Sequence, residues 1–371
     1  MSKDAATTDT YALRSDTLSE IELLDVPYRP PTPKSYRPKI GMIGTGGISN
    51  SHLDAYRTAG WEVAVLWNRT VSKAVKKAKE FYPTARIATD WREILADTSI
   101  EIVDITLPTE HRSAFIAEAL KAGKHVLSQK PFVEDLDIGE TLVDLADANG
   151  VHLAVNQNGR WSPHMAWMRN AVRAGHIGDL ISAHFSLHWN HGWTAGTLFD
   201  EIDDLVLYDF GIHWFDFLSS LLGDRVKSVF ASASYAQGQA NKVPLMAQSL
   251  VSFDRGQASL IFDGGMRHGP RDTTYLGGTE GSITSDGPDL GNQSVTLATS
   301  EGIARPALEG QWFNDGFRGA MGELLCAIEE DRAPENSARE NLKSLALTFA
   351  AIHSRRTGRE IAIGEVRRLA D

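Results

Sequence analysis

The chain has 371 residues, of which 42% are hydrophobic, and single cores stop growing at about 250–300 residues, so we expect two domains. The formal net charge of −11 argues against binding to a nucleic-acid backbone or an anionic membrane surface. The single cysteine, Cys326, excludes an intrachain disulfide and any metal site built from several cysteines. No apolar stretch approaches the ~20 residues that span a bilayer, and no signal pattern opens the chain, so a cytoplasmic location is the default expectation.

Residues 1–36 form a polar segment that ends in a proline-rich stretch, residues 27–33. Proline fixes φ and removes an amide donor, so this density predicts an extended arm. Two interpretations stay open. The arm is either a free tail or a segment laid over a neighbouring subunit.

Residues 37–156 alternate short apolar strands with helices of about 10–12 residues, which is typical of a parallel sheet with right-handed crossovers. The predicted strands are 39–43, 62–67, 101–106, 124–128 and 151–155. The predicted helices are 49–59, 71–81, 111–122 and 138–149. The pattern therefore indicates a Rossmann domain of the α/β class.

Residues 157–371 have longer segments that alternate polar and apolar positions, which predicts an α+β domain with a large, mostly antiparallel open sheet. The predicted strands are 180–189, 226–234, 247–254, 257–263, 273–277 and 294–298. The predicted helices are 163–174, 204–222, 317–330 and 338–357.

A glycine-rich turn, Gly44–Ser49, follows the first strand and opens a helix. Glycine permits the tight turn and close approach of a pyrophosphate, and the helix N-terminus supplies amide donors. This context predicts dinucleotide binding by the backbone of the turn, through Gly44, Thr45, Gly46, Gly47 and Ile48.

The second strand ends at Asn68 and Arg69, where a dinucleotide-binding domain reads the adenine ribose. Asn68 is neutral, and Arg69 could pair with a 2′-phosphate, which favours NADP or dual use. NAD stays open, because Asn68 can bind a ribose hydroxyl and Arg69 can stack on adenine.

Several motifs occur in one order between Lys39 and Ile363. They are residues 124–131 (KHVLSQKP), Pro108 with His111, 160–163 (RWSP), 175–178 (GHIG), 209–216 (DFGIHWFD) and 278–283 (GTEGSI). In these motifs and in their order along the chain, the sequence resembles the Gfo/Idh/MocA family, which is named after glucose–fructose oxidoreductase, inositol dehydrogenase and a rhizopine catabolism protein.

The resemblance implies a nicotinamide-binding domain and a second domain whose open sheet face forms dimers or tetramers. It assigns catalysis to Lys130, Asp209 and His213, and a histidine is a suitable base for an alcohol proton. Independently, Asp209 and His213 are four residues apart and would share one helix face. The expected cofactor contacts beyond the turn are Asn68, Arg69, Thr106, Leu107, Pro108, His111, Gln129, Lys130 and Gln157.

One position departs from the family pattern. The usual glutamate before the lysine is Gln129 here, which removes a charge that could act on the lysine or on the nicotinamide amide.

The segment 184–193 contains three histidines and two tryptophans and could suggest a metal site. His184 and His188 share a strand face but lie roughly 13 Å apart, too far to share one ion, so we predict no metal. Indole faces stack on sugars, so we expect a polyol pocket instead. Its expected lining, with Lys130, Asp209 and His213, is Trp189, His191, Trp193, Asn158 and Arg160.

The leading functional hypothesis is an NAD(P)-dependent dehydrogenase of a sugar, glycoside or polyol, with carbon 3 of a pyranose as the guessed position. The alternatives are a glycoside-cleaving enzyme that uses transient oxidation by a tightly bound NAD, and a non-catalytic sugar or nucleotide sensor. A further hypothesis is that the proline-rich arm covers the cofactor and slows its release.

Overall fold

The computed structural model describes residues 18–22 and 25–369. The strands in these ranges are β1 (Lys39–Ile43), β2 (Glu62–Trp67), β3 (Arg86–Ile87), β4 (Ile100–Ile105), β5 (His125–Gln129), β6 (Leu153–Asn156), β7 (Leu180–His188), β8 (Val226–Ser234), β9 (Met246–Phe253), β10 (Gly256–Asp263), β11 (Arg271–Gly278), β12 (Gly281–Asp289), β13 (Asn292–Thr299), β14 (Gly302–Ala304) and β15 (Ile361–Ala362). The α-helices are α1 (Ser49–Ala59), α2 (Val71–Phe81), α3 (Arg92–Ala96), α4 (Thr109–Lys121), α5 (Leu136–Ala148), α6 (Pro163–Arg173), α7 (Ile212–Leu222), α8 (Trp312–Glu329) and α9 (Ala338–Thr357).

The first sheet has six parallel strands in the order β3-β2-β1-β4-β5-β6. Strand order reverses between β1 and β4, and ligands of such sheets bind at the carboxyl ends of the strands beside this switch point. The predicted Rossmann domain is confirmed.

The second sheet has nine strands in the order β14-β13-β12-β11-β7-β10-β9-β8-β15. Only β7 and β10 pair in parallel among these strands, so the predicted mostly antiparallel sheet is confirmed. Its outer face exposes the apolar side chains Ile181, Phe230, Leu250, Ile261 and Tyr275. Assembly of copies through this face stays a prediction.

Several short or polar elements were not predicted, namely β3, β12, β14, β15 and α3. The longest of them, β12, has the sequence GSITSDGPD, in which glycine, aspartate and proline have low strand propensity. It is held as a strand by pairing with β11 and β13.

The predicted helix 204–222 is wrong in its first part. Residues Val206–Phe210 form a π-helical turn, and α7 begins only at Ile212. Gly211 donates its backbone N–H to the Val206 carbonyl, and a Cβ at Gly211 would lie 2.7 Å from that oxygen, so glycine permits the wider turn. The argument that Asp209 and His213 share one face of a regular helix therefore does not apply.

The described part of the N-terminal arm packs on its own chain. Asn170 of α6 donates to the Pro27 carbonyl, and the Glu329 side chain of α8 accepts the backbone N–H groups of Lys34, Ser35 and Tyr36. Residues 1–17 lie outside the described residues, so a role over a neighbouring subunit or over the cofactor stays a prediction.

Helix α8 lies between the first sheet and the start of α7, where its Trp312 ring stacks on Trp214. It packs against α1 and against a short 3-10 turn, Asn158–Trp161, that follows β6. A Cβ at Gly159 would lie 2.9 Å from the Trp312 ring, so this glycine permits the close contact. Helix α8 was predicted to begin at Phe317, five residues too late.

Candidate active site

The glycine-rich turn after β1 has an open side. Gly44 has φ of +103°, and a Cβ there would lie 2.9 Å from Thr106 Oγ1. At Gly46 and Gly47 a Cβ would meet nothing within 4 Å. No side chain caps the N-terminus of α1. The N–H groups of Asn50 and Ser51 bond to the Gly47 and Ile48 carbonyls, so the amide groups before Asn50 are the ones that could meet a phosphate.

Asn68 braces this turn from the end of β2. Its Nδ2 donates to Thr45 Oγ1 at 2.7 Å, and its Oδ1 accepts the Thr70 backbone N–H at 3.2 Å. Arg69 is exposed beside it. Asn68 is thus tied to the turn, while Arg69 faces solvent where the second strand ends.

The residues after β4 divide into two groups. Thr106 is buried and donates its hydroxyl to the Gly44 carbonyl at 2.9 Å, and Leu107 is half-buried. Pro108 and His111 are exposed at the start of α4. The first pair therefore lies against the glycine turn, and the second pair lies towards solvent.

Arg112 fastens the carboxyl ends of β4 and β5 together. It is 2% exposed and donates to the carbonyls of Leu107 (2.9 Å), Pro131 (2.6 Å) and Gln129. Burial lowers the pKa of its guanidinium to about 10, so the group is still charged at neutral pH. The loop that carries Lys130 is consequently held against the end of β4.

Lys130 and Asp209 form an ion pair between the first domain and the π-helical turn. Lys130 Nζ donates to the Asp209 carbonyl at 2.8 Å and to Asp209 Oδ1 at 3.0 Å. Their side chains are 14% and 17% exposed, so the pair is shielded but reachable. An ammonium has three N–H donors, so one is left for a substrate oxygen.

His213 lies half-buried beside the pair. Burial lowers the pKa of its imidazole well below the usual value, and the Lys130 charge lowers it further. The Trp312 ring meets the imidazole edge-on at a centroid distance of 5.5 Å, and Nδ1 is buried without a hydrogen-bond partner in the described chain. At neutral pH the imidazole is therefore uncharged and can accept a proton.

Gln157, Asn158 and Arg160 follow β6 and are all nearly fully buried. Both polar atoms of the Gln157 side-chain amide, and Nδ2 of Asn158, have no partner among the described residues. Arg160 differs, because it donates to both Asp216 carboxylate oxygens at 2.6 and 2.8 Å and to the Glu335 carbonyl. Gln157 and Asn158 can accept a ligand, whereas Arg160 is engaged in a structural ion pair.

The predicted aromatic residues form a wall after β7. The His191 ring stacks on Phe210 at a centroid distance of 4.3 Å, and Trp189 lies 5.8 Å from His191. Trp193 is 59% exposed at the outer end of this wall. Burial lowers the pKa of His191 to about 4, and the nearby Asp209 charge opposes this shift. The aromatic wall therefore adjoins the Lys130–Asp209 pair.

These residues fit a dinucleotide. The open side of the turn at Gly46 and Gly47 leaves room for a pyrophosphate, and α1 presents uncapped amide groups. The unpartnered Gln157 amide lies at the carboxyl end of β6, on the same sheet edge as Lys130.

The sequence interpretation missed Arg112 and a group of buried polar residues below it, His52, Asp104 and Asn156. Asp104 interrupts the apolar strand β4, and a charged residue inside a buried strand was the signal that could have revealed them.

Two adjoining models of one family match the chain. Residues 38–157 match the oxidoreductase family model with an NAD-binding Rossmann fold, and residues 165–284 match the GFO/IDH/MocA C-terminal domain. The chain belongs to this family. The first domain of this Gfo/Idh/MocA protein is accordingly an NAD-binding Rossmann domain.

The curated relatives match this family member over different shares of its length. Two Schizosaccharomyces pombe oxidoreductases are 30% identical to it, but the match spans 44% of this chain and 45% of each relative, under half their length. The D-apiose dehydrogenase of Paraburkholderia graminis is 24% identical over 88% of this chain and 89% of its own. The Bacillus subtilis scyllo-inositol 2-dehydrogenase (NADP(+)) is 24% identical over 88% of this chain and 96% of its own.

Solved structures share the whole fold. An Agrobacterium radiobacter oxidoreductase, in complex with NAD+, L-tartaric acid and magnesium, superposes with a TM-score of 0.79 at 20% identity. The match covers 89% of this chain and 99% of that one.

The described ranges contain neither a membrane-spanning helix nor a cluster of metal-ligating side chains. None of the helices within residues 18–22 and 25–369 is long and apolar enough to cross a membrane. In the same ranges, no three or more His, Cys, Asp or Glu side chains are grouped as metal ligands. His184 instead hydrogen-bonds to Ser259, and His188 to Ser186.

Proposed function

We propose that this protein is an NAD(P)-dependent dehydrogenase that oxidises a secondary hydroxyl of a sugar, glycoside or polyol, or reduces the matching ketone. The observation that carries the proposal is the shielded Lys130–Asp209 pair beside a neutral His213, at the sheet edge where a dinucleotide fits. The names of the D-apiose and scyllo-inositol dehydrogenases support the substrate class.

The three residues have complementary roles in this proposal. His213 accepts the proton of the reacting hydroxyl, because its imidazole is uncharged at neutral pH. Lys130 donates its remaining N–H to the same oxygen and stabilises negative charge as the proton leaves. Asp209 fixes the lysine in place.

A bound nicotinamide dinucleotide supplies the two-electron acceptor of the reaction. The turn at Gly46 and Gly47 would hold its pyrophosphate, and Gln157 would bind its amide or the substrate. Exposed Arg69 and neutral Asn68 support NADP use, or use of both nucleotides.

The aromatic wall supports a sugar-like substrate. Trp189, His191 and Trp193 place aromatic surface beside the polar Lys130–Asp209 pair, with Trp193 exposed and His191 stacked on Phe210. Such a site suits ring C–H groups on one side and hydroxyls on the other. Within this class a pyranose oxidised at carbon 3 is the narrower proposal.

The test is a reduction assay with a substrate panel. The purified full chain is mixed with NAD or NADP and with sugars, polyols and glycosides, and nicotinamide reduction is followed while mass spectrometry examines the product. We expect one compound class to reduce the nucleotide and to lose two hydrogen atoms as a ketone.

Two lysine-to-methionine variants test the site, one at Lys130 in the site and one at Lys121 outside it as the matched control. Lys130→Met should abolish reduction, whereas Lys121→Met, on the exposed side of α4, should leave it unchanged. Equal reduction by both variants would contradict the proposal. Glycoside cleavage without net ketone formation would favour a glycoside-cleaving enzyme that works by transient oxidation. Bound nucleotide that no compound reduces would favour a sensor.

A further inference from the structure

A group of buried polar side chains lies beneath the carboxyl edge of the first sheet, and each is at most 5% exposed. This buried polar network consists of His52, Tyr56, Asp104, Gln129 and Asn156. Phe317 of α8 closes it from above, edge-on to the His52 ring at a centroid distance of 4.8 Å. Buried polar groups require partners, so their hydrogen bonds determine one another.

At one end of the network Asp104 accepts two hydrogen bonds on the same oxygen. Its Oδ2 lies 2.8 Å from His52 Nδ1 and 2.8 Å from the Tyr56 hydroxyl. Burial raises the pKa of Tyr56 well above its usual value, and the Asp104 charge adds to the rise, so the phenol is a protonated donor. Asp104 Oδ2 is thus a double acceptor, which fixes the orientation of the carboxyl group.

At the other end the orientation of Gln129 is determined by the backbone. The Lys130 N–H can only donate, and it lies 2.7 Å from one side-chain atom of Gln129, which must therefore be Oε1. The remaining atom, Nε2, lies 3.4 Å from His52 Nε2. Asn156 donates Nδ2 to Gln129 Oε1 at 3.1 Å, and the same nitrogen lies 3.3 Å from His52 Nε2.

Two amide N–H donors therefore face His52 Nε2, so this nitrogen must be an acceptor without a proton. The imidazole proton then resides on Nδ1, where it is donated to Asp104. The tautomer and charge of His52 follow from hydrogen bonding alone.

We infer that His52, Asp104 and Tyr56 are positioning residues that orient Gln129 and through it the Lys130 backbone, and that glutamine at position 129 keeps His52 neutral in the Nδ1–H form. The link to turnover rests on the proposed function of Lys130. The assignment of the His52 tautomer does not depend on that proposed function.

A glutamate at position 129 would reverse this arrangement. A carboxylate offers only lone pairs to His52 Nε2, so the imidazole would take up a second proton and lie between two carboxylates. The groups that face His52 are Tyr56 from α1, Asp104 from β4, Gln129 from β5, Asn156 from β6 and Phe317 from α8, so Asp104 and Tyr56 are its titratable neighbours. Residue 129 accordingly controls how many protons the network holds.

The test is ¹⁵N NMR of the full chain with labelled histidine, between about pH 6 and pH 8, where exposed histidines titrate. We expect wild-type His52 to stay neutral with its proton on Nδ1, and Gln129→Glu to give a doubly protonated ring. Gln257→Glu, the same change on an exposed strand residue, should leave the signal unchanged. Loss of the signal in His52→Gln assigns it, and Overhauser contacts with the Phe317 ring assign it if that variant does not fold.

A charge-swapped double variant, Asp104→Asn with Gln129→Glu, places the carboxylate on the other side of His52. We expect its ring to be neutral again, with the proton on Nε2. Wild-type His52 with a proton on Nε2, or a Gln129→Glu ring that stays neutral, would overturn the assignment.

Turnover of the hydroxyl compound found by the reduction assay tests the positioning role. Gln129→Glu should lower kcat by about 10-fold or more, because small displacements of a reacting group cost up to about 10²-fold, and the double variant should recover most of this loss. Unchanged kcat with a protonated His52 would overturn the positioning role. If wild type oxidises nothing, the proposed function fails while the tautomer result still decides the assignment.

Discussion

Two ion pairs end on one helical segment, residues 206–222, and they differ in what surrounds them. Lys130 pairs with Asp209 in the π-helical turn, and both side chains keep about a sixth of their surface exposed. Arg160 pairs with Asp216 on α7, with side chains 4% and 1% exposed. The second pair has both carboxylate oxygens and the guanidinium bonded, whereas the first leaves a donor unused. The Lys130–Asp209 pair is thus suited to binding a ligand, whereas the Arg160–Asp216 pair is suited to stabilising the fold.

The largest expected effect is on turnover, from Asp209→Asn. The neutral amide no longer holds the Lys130 ammonium as an ion pair, so we expect kcat to fall by about 10²–10⁴-fold, the range of a positioned proton-transfer group. Thermal unfolding should change little, because the pair is partly open to solvent. Steady-state kinetics and calorimetry of the same preparation check both, and unchanged kcat would contradict the assignment.

For Asp216→Asn we expect the opposite result, a loss of stability in place of a specific loss of kcat. This change leaves the Arg160 charge buried without its carboxylate, and removing one partner of a buried pair costs about 3–5 kcal/mol of unfolding free energy. Denaturant titration measures this loss. If Asp216→Asn instead folds normally and loses only kcat, Arg160 and Asp216 belong to the site and the comparison fails.

The smallest effect is expected at Asp272, a buried carboxyl on the inner face of β11. It is 1% exposed, neither oxygen has a partner among the described residues, and burial, with a contribution from Asp286, raises its pKa to about 7. The folded pKa exceeds the unfolded value, so a stability penalty is absent below about pH 4, grows as pH rises and is complete above about pH 7.

Asp272→Asn should therefore stabilise the protein at about pH 8, by on the order of 1–3 kcal/mol, and have little effect near about pH 4. Urea titrations at the two pH values measure this difference. Asp254→Asn, at an exposed turn, is the control and should show no such dependence. Equal effects of Asp272→Asn at both pH values would show that this carboxyl is not held protonated.

Local patterns predicted the parts of the site that are continuous in sequence. The Gly44–Ser49 turn and the segment around Lys130 are determined by glycine geometry and by strand ends, and both lie at the carboxyl edge of the first sheet. The roles of Arg112 and His52 could not be predicted, because they arise only when three strands, β4, β5 and β6, and three helices, α1, α4 and α8, bring their partners together. Arg160 was assigned to the pocket for the same reason, since its partner Asp216 is 56 residues away.

The π-helical turn shows a different limit. Helical periodicity in 204–222 is genuine, but one wider turn at Gly211 changes the direction of the residues before it. A regular period cannot indicate such a turn, so the structure corrects the helix argument for Asp209 and His213, and their catalytic role stays a prediction.

The most direct test of the central claim follows the hydrogen itself. A hydroxyl compound identified by the reduction assay is prepared with deuterium on the reacting carbon, and a single turnover is analysed by mass spectrometry of the nucleotide. Wild type should place the deuterium in the nicotinamide, and Lys130→Met should bind the nucleotide but transfer none. Deuterium found in solvent, or transferred equally by Lys130→Met, would contradict a dehydrogenase site built on Lys130, Asp209 and His213.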